Sequence, residues 1–231
     1  MGKCKTKKKM TKEQKRLLIA LLIGDGTISN NYVFKLSHAP EQKQYLEWKI
    51  KQLNDLHIKN NGIKNYVSTC GYNTGKGVIY SQLSIVPTIK ALRRSVYTPN
   101  KTITTNLLKW LDAKGIAIWF MDDGSINVND SVHRKGSIQR TFHIATCVSL
   151  DTVETIIEYF KDTWKINFRK FEERPGLYSI STCSAEDGEN FAKIVAPYVK
   201  QVPDLLYKIR KYGTKKDFID LQKQGLKCET F

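Results

Sequence analysis

The sequence predicts an α/β (α+β) protein made of two similar halves, each reading αββαββα about a pseudo-two-fold axis. Three observations predict it. An apolar helix ending in Asp-Gly occurs twice, first at Gly24-Asp25-Gly26 and again at Asp122-Asp123-Gly124. The same succession of elements follows each copy. The strands between the helices alternate apolar and polar residues, so each sheet has one face for a core and one for something else.

In the first half the apolar run 17–23 forms the opening helix. Thr27-Ile28-Ser29 leads into a turn at Asn30-Asn31, and a strand follows over 32–38. A helix over 41–56 places Tyr45, Leu46, Ile50 and Leu53 on one face. Strands over 63–70 and 78–86 flank a glycine-containing turn at 71–77, and a helix over 87–97 closes the half. The second half opens with Ile116-Ala117-Ile118-Trp119-Phe120-Met121, then Ser125-Ile126-Asn127-Val128 and a strand over 138–147. Ser149 caps a helix over 150–164. Strands over 166–171 and 177–183 and a helix over 185–195 complete it. The chain therefore divides into a basic tail 1–11, a first half 12–100, a linker 101–111, a second half 112–210 and a C-terminal tail 211–231 expected to be one loose helix.

Composition narrows the partner. With 38 Lys and Arg against 22 Asp and Glu among 231 residues, the net charge is +16. That excess suits a polyanion, since each phosphate met by a cationic side chain releases condensed counterions. Five dispersed cysteines (Cys4, Cys70, Cys147, Cys183, Cys228) form no CxxC pair, which argues for thiols in a reducing, intracellular compartment. The four histidines lack metal-ligand spacing, which disfavours a zinc site. Lys7 to Lys9 before the apolar run imitate a signal peptide, but the run is short and lacks a small-x-small cleavage site. Met1-Gly2 with Thr6 fits a myristoylation pattern only as a short chance match. No stretch is long enough to span a bilayer, so no membrane partner is expected.

An Asp at a helix C-terminus is locally unfavourable, because the carbonyl end already carries partial negative charge. A divalent cation at that end reverses the sign, and carboxylate and carbonyl oxygens are the hard donors Mg2+ prefers. Were the two helices to pack side by side, Asp25 and Asp123 would meet at their shared end. Ala20 and Gly24 on one helix, and Ala113 and Ala117 on the other, are small enough for close approach. A single Asp-Gly is an ordinary turn dipeptide; two copies, each followed by the same elements, are not. Registering the motifs on glycine makes Asp123 the equivalent of Asp25 and leaves Asp122 a supporting role.

LIALLIGDG and IAIWFMDDG resemble the paired motifs of LAGLIDADG homing endonucleases, in the form of the monomeric two-motif branch that includes a yeast mitochondrial intron-encoded enzyme. The resemblance extends from about residue 17 to 208, with Asn100-Lys101-Thr102-Ile103 and Pro197-Tyr198, Pro203 and Tyr207-Lys208 similar to further segments of that branch. It implies antiparallel sheets forming a DNA-binding saddle, a monomer, and cutting of both strands of a long asymmetric target of roughly twenty base pairs, about two helical turns. It implies Mg2+ as cofactor, with Mn2+ or Ca2+ substituting for binding. It further implies metal held by Asp25, Asp123, Gly24 and Asp122, with Lys101 and Lys208 beside it polarising water or stabilising charge. A mitochondrion or other organelle, or a bacterial or phage origin, is the setting such relatives suggest. Position seven of the second motif is Asp122 instead of a small residue, and Ser37 and Ala145 stand where other members carry acidic or amide groups.

Period-two alternation assigns the polar strand face. Lys35, Ser37, Tyr80, Gln82 and Ser84 in the first half, and Gln139, Thr141, His143, Asn167, Arg169, Ser179 and Ser181 in the second, are expected to face base edges. Lys64, Lys76, Arg134, Lys135 and Arg140 are expected to grip phosphates. Two other readings fit such a fold: a maturase that binds intron RNA, and a noncatalytic DNA-binding regulator. Retention of Asp25, Asp123, Lys101 and Lys208 favours the nuclease. An intein is not expected, because residue 1 is no nucleophile and no His-Asn ends the chain.

Overall fold

The structure, a computed structural model, describes residues 10–69, 74–83, 87–97, 101–130, 138–211 and 213–231. Among the assigned positions, Ser84, Arg134 and Lys135 lie outside the described residues.

Helix α1 (Lys12–Ile23) begins at a capping box, Thr11 accepting from the Gln14 N–H and Gln14 returning the bond. Its last seven residues, Leu17 to Ile23, are all buried, on every side of the helix. A helix apolar all round must be enclosed on all faces. It continues through β1 (Thr27–Ile28) and β2 (Phe34–His38) to α2 (Lys43–Asp55), then β3 (Lys64–Val67), β4 (Gly77–Leu83) and α3 (Pro87–Val96). The connecting stretch holds a short helix, α4 (Thr105–Leu108), where only a linker was expected. Helix α5 (Ala113–Asp123), capped by Asp112, buries Gly115 to Met121 without interruption. Then follow β5 (Gly124–Asp130), β6 (Ile138–Val148), α6 (Leu150–Tyr159), β7 (Phe168–Arg174), β8 (Leu177–Thr182) and α7 (Ala185–Val199).

Both sheets have four antiparallel strands in the same spatial order, β1-β2-β4-β3 and β5-β6-β8-β7. The repeated αββαββα halves are therefore real in three dimensions. Helices α1 and α5 pack on one another between the sheets. Ala20 and Gly24 lie at this approach, facing Gly115 and Asp122 of α5. A Cβ added at Gly115 would lie 3.4 Å from the Ala20 Cβ, and one at Gly24 would collide with the Asp122 carboxylate. Around this axis Phe120, Phe142 and Phe191 meet with ring centroids 5.4–5.6 Å apart. Burying each such Leu, Ile or Phe contributes roughly 1.5–3 kcal/mol, so the two central helices and their neighbours dominate cohesion.

The C-terminal part departs most from expectation. Helix α7 runs past 195 to Val199 despite Pro197. A 3-10 turn (Pro203–Ile209) then carries Lys208 to the end of α5. The tail is docked, not loose: α8 (Lys215–Lys223) buries Phe218, Arg210 bridges to Thr230, and the Phe231 ring lies 5.6 Å from Phe142.

Candidate active site and nucleic-acid face

Helices α1 and α5 end side by side, which brings Gly24-Asp25 against Asp122-Asp123. Each helix leaves carbonyls without intrahelical donors, and a lysine reaches each end. Lys101 Nζ donates to the Gly24 carbonyl at 2.5 Å. Lys208 Nζ donates to Met121 O at 2.6 Å and Asp122 O at 3.3 Å. The two lysines proposed from sequence are thus cationic caps, one per half, and both are near the carboxylates.

Asp122 is the surprise. Its side chain is wholly buried, and both oxygens are engaged. Oδ2 accepts the Asp25 N–H at 3.0 Å; Oδ1 accepts Lys49 Nζ at 2.5 Å and Tyr45 OH at 2.8 Å. Lys49, also fully buried, meets His38 Nε2 at 3.0 Å. An ammonium donates, so Nε2 accepts, and Nδ1–H is left to donate to Gln42 Oε1 at 3.2 Å. That neutral tautomer agrees with burial and the Lys49 charge depressing His38 to about 3. Burial would raise Asp122, but Lys49 and the bonds to it outweigh this and hold its carboxyl below the usual range. Asp25, His38 and Asp122 offer ligand atoms within 4.8 Å of one another. The Lys49 ammonium already supplies the positive charge on the buried side of that cluster. The Asp122 carboxylate is therefore a support and not an open ligand, while its carbonyl stays at the helix end.

Asp25 and Asp123 behave differently. Burial, then the neighbouring Asp122, pushes Asp25 up to about 6 and Asp123 up to about 7, against the pull of Lys101 and Lys208. The Asp25 side chain is nonetheless 41% exposed: it has protein on most sides and opens on one to a cleft of about 450 Å³ lined also by Ser37, His38 and Lys76. Burial lowers Lys208 to about 8 and depresses Lys101 as well. Two crowded carboxylates that resist ionisation, beside main-chain carbonyls of Gly24 and Asp122, are a hard-oxygen donor set whose repulsion a divalent cation would relieve. The residues fit such an ion.

The sheet faces away from the helices carry most of the polar residues predicted for them. Pairing places Thr27, Lys35 and Gln82 in one row and Ser37, Tyr80 and Lys64 in the next. Lys76 is exposed in the adjoining turn. Tyr66, not predicted, belongs here too: it lies two residues from Lys64 and its hydroxyl accepts from Lys35 at 3.2 Å. On the second sheet Gln139, Thr141 and His143 pair with Asn129, Asn127 and Ser125, three further polar residues the alternation should have supplied.

Four assignments are corrected. Arg140 shares the parity of Phe142 and turns toward the helices, where it pairs with Glu189 at 2.7 Å and covers the Phe231 ring. Ser179 and Ser181 have the right parity but are buried, because β8 is a central strand whose short side chains lie beneath longer neighbours. Ser181 accepts from Arg169 and Ser179 donates to Glu173. Asn167 precedes β7 and is tied to Asp187 through its N–H at 2.8 Å.

Two antiparallel sheets flanking paired helices, with one acidic residue from each half at the helix ends, define a class of pseudo-symmetric, carboxylate-centred proteins. Residues 15–186 match the LAGLIDADG DNA endonuclease family, and the chain belongs to it. Among solved structures it is similar to the homing endonuclease I-WcaI bound to its DNA recognition sequence, at TM-score 0.69 and 18% identity over 90% of this chain and 94% of that one. It is also similar to full-length DUF199/WhiA from Thermatoga maritima, at TM-score 0.51 and 12% identity over 96% of this chain and 69% of that one. Both likenesses concern the fold. Curated relatives include the protein RecA of Mycolicibacterium fallax, 28% identical over 89% of this chain and 49% of that protein. The protein RecA of Mycobacterium shimoidei is 25% identical over 87% of this chain and 47% of that protein. The chain spans about half the length of these relatives.

Proposed function

We propose that the protein is a site-specific double-strand DNA endonuclease of the homing type, intron-encoded, that hydrolyses one phosphodiester in each strand with divalent metal ions. The observation that carries this reading is the meeting of Asp25 and Asp123, one from each half, at helix ends held by Lys101 and Lys208. Asp25, Asp123 and the carbonyls of Gly24 and Asp122 would hold Mg2+, and Mn2+ or Ca2+ would fit the same donors. When bound, such an ion activates water and stabilises the leaving oxygen. The chain's own residues do the rest. The carboxylates release their protons as they take up the ion. Lys101 and Lys208 face the charge that grows on the scissile phosphate, and at about 8 Lys208 is also able to carry a proton at working pH.

The net charge of +16 brings DNA to the protein, and the outward rows seat on it. Lys35, Lys64 and Lys76 meet phosphates or bases at the first sheet, and Gln139, Thr141, His143 and Arg169 lie where base edges would be read. A noncatalytic regulator on the same fold would not need both acids and both lysines gathered at one point, which favours the nuclease. The test is cleavage of a plasmid library of candidate sites with Mg2+. The wild-type protein linearises a plasmid bearing its target, while Asp25→Asn and Asp123→Asn bind that DNA without cutting it. Full cleavage by both variants refutes the proposal.

A further inference from the structure

The two halves repeat one another in backbone but not in what surrounds the ends of α1 and α5. Strand register equates Phe34 with Phe142 and Leu36 with Ile144. Two residues further on, the first half has His38 and the second Thr146, whose hydroxyl donates to Tyr178 O within its own sheet. Helix α2 buries Tyr45 and Lys49, whereas the equivalent α6 buries Val153, Ile156 and Tyr159 and no charged residue. The helix-end position matching Asp122 is Gly24. One quadrant of the site is therefore polar and charged where its pseudo-symmetric counterpart is apolar or small.

These differences are coupled. Asp122 reaches across the helix pair into the first half, and Tyr45 and Lys49 of α2 receive it there. Gly24 makes room, because any Cβ at that position would occupy the space of the Asp122 carboxylate. Everything in the quadrant bears on Asp25. Asp122 Oδ2 accepts the Asp25 N–H, and His38 Nδ1 lies 3.8 Å from Asp25 Oδ2. The Asp123 carboxylate accepts no hydrogen bond among the described residues.

We propose that Lys49, Tyr45 and His38, working through the Asp122 carboxylate, are positioning residues for the Asp25 side of the site, so that cutting of one strand depends on them far more than cutting of the other. The inference rests on the endonuclease reading and adds an asymmetry to it. A buried ion pair with every polar atom satisfied fixes the backbone of Asp25 from one side. Release of that side lets Asp25 drift, and displacements of the order of 1 Å cost about a hundredfold in rate. Asp123 takes no side-chain hydrogen bond from Lys49, Tyr45 or His38 and keeps its place.

The experiment follows both strands of a target-bearing supercoiled plasmid, each end-labelled after digestion, with wild-type protein, His38→Ala, and the double variant Lys49→Met/Asp122→Asn. The double variant removes both charges together and so leaves no buried ion unpaired. Melting curves and target binding confirm that each variant folds. The expected result is a fall of about ten- to a hundredfold in cleavage of one strand, the same strand in both variants, with nicked circle accumulating while the other strand is cut at near wild-type rate. Equal slowing of both strands, or unchanged rates in both variants, overturns the positioning role. A wild-type protein that never cuts the plasmid overturns the endonuclease reading instead, and this inference with it.

Discussion

Replacement of Asp123 by Asn should stabilise the metal-free protein at neutral pH. Asp123 is raised from 3.8 to about 7 by burial first and then by Asp122 and Asp25. Between those two pH values the folded chain holds a proton there that the unfolded chain has lost. Stability rises with pH only where the unfolded state binds more protons, so here it falls as pH climbs from about 4 to 7. Three pH units correspond to ~4 kcal/mol at 1.36 kcal/mol each. Asp123 is only half-buried and partly screened by water, which reduces the expected loss to roughly 1–2 kcal/mol. The assay is urea denaturation of both proteins in EDTA at pH 5 and pH 7.5. The wild type should lose more stability than Asp123→Asn across that interval, and millimolar Mg2+ should narrow the gap at pH 7.5 by binding the folded wild type. Parallel pH profiles for the two proteins would refute the claim that crowded carboxylates strain this site.

Three further outcomes follow from the same geometry. Lys49→Met alone leaves Asp122 buried without its cation and should cost about 3–5 kcal/mol, most of it recovered in the double variant with Asp122→Asn, as read by chemical denaturation. Gly24→Ala places a Cβ 2.1 Å from Asp122 Oδ2 and should destabilise by about 1–3 kcal/mol, seen as a lower melting temperature. Lys64→Ala should lower the slope of log affinity against log salt by about one unit, whereas Arg140→Ala should leave that slope unchanged and lower stability, because Arg140 faces Glu189 and Phe231.

Much of this architecture was legible in the sequence, and what was missed has physical reasons. The doubled apolar helix ending in Asp-Gly revealed both the pseudo-repeat and the meeting of Asp25 with Asp123, because a seven-residue run apolar on every side can only lie between two packed layers. Lys101 and Lys208 were found through flanking segments; their capping of helix carbonyls was not, since it depends on contacts 77 and 87 residues apart. Tyr45 read as an ordinary core residue of α2, and Lys49 drew no notice. A buried lysine has no local signature, and its reason, Asp122, sits on another helix in the other half. Alignment on glycine ranked Asp122 below Asp123 but gave no hint that its partner position, Gly24, is hollow for it. On the sheets, alternation sorted inner from outer faces without seeing which strand is central, so Ser179 and Ser181 were placed in reach of DNA although their neighbours cover them. Arg140 was misassigned against the period-two rule itself, its charge weighing more than its parity with Phe142.

Anomalous diffraction from crystals of the protein with a duplex of its target, grown in Mn2+, addresses the shared site most directly. Manganese should occupy the shared end of α1 and α5, and a single Asn substitution at either Asp25 or Asp123 should abolish its peak. Manganese bound to one half only, indifferent to substitution in the other, would contradict the account.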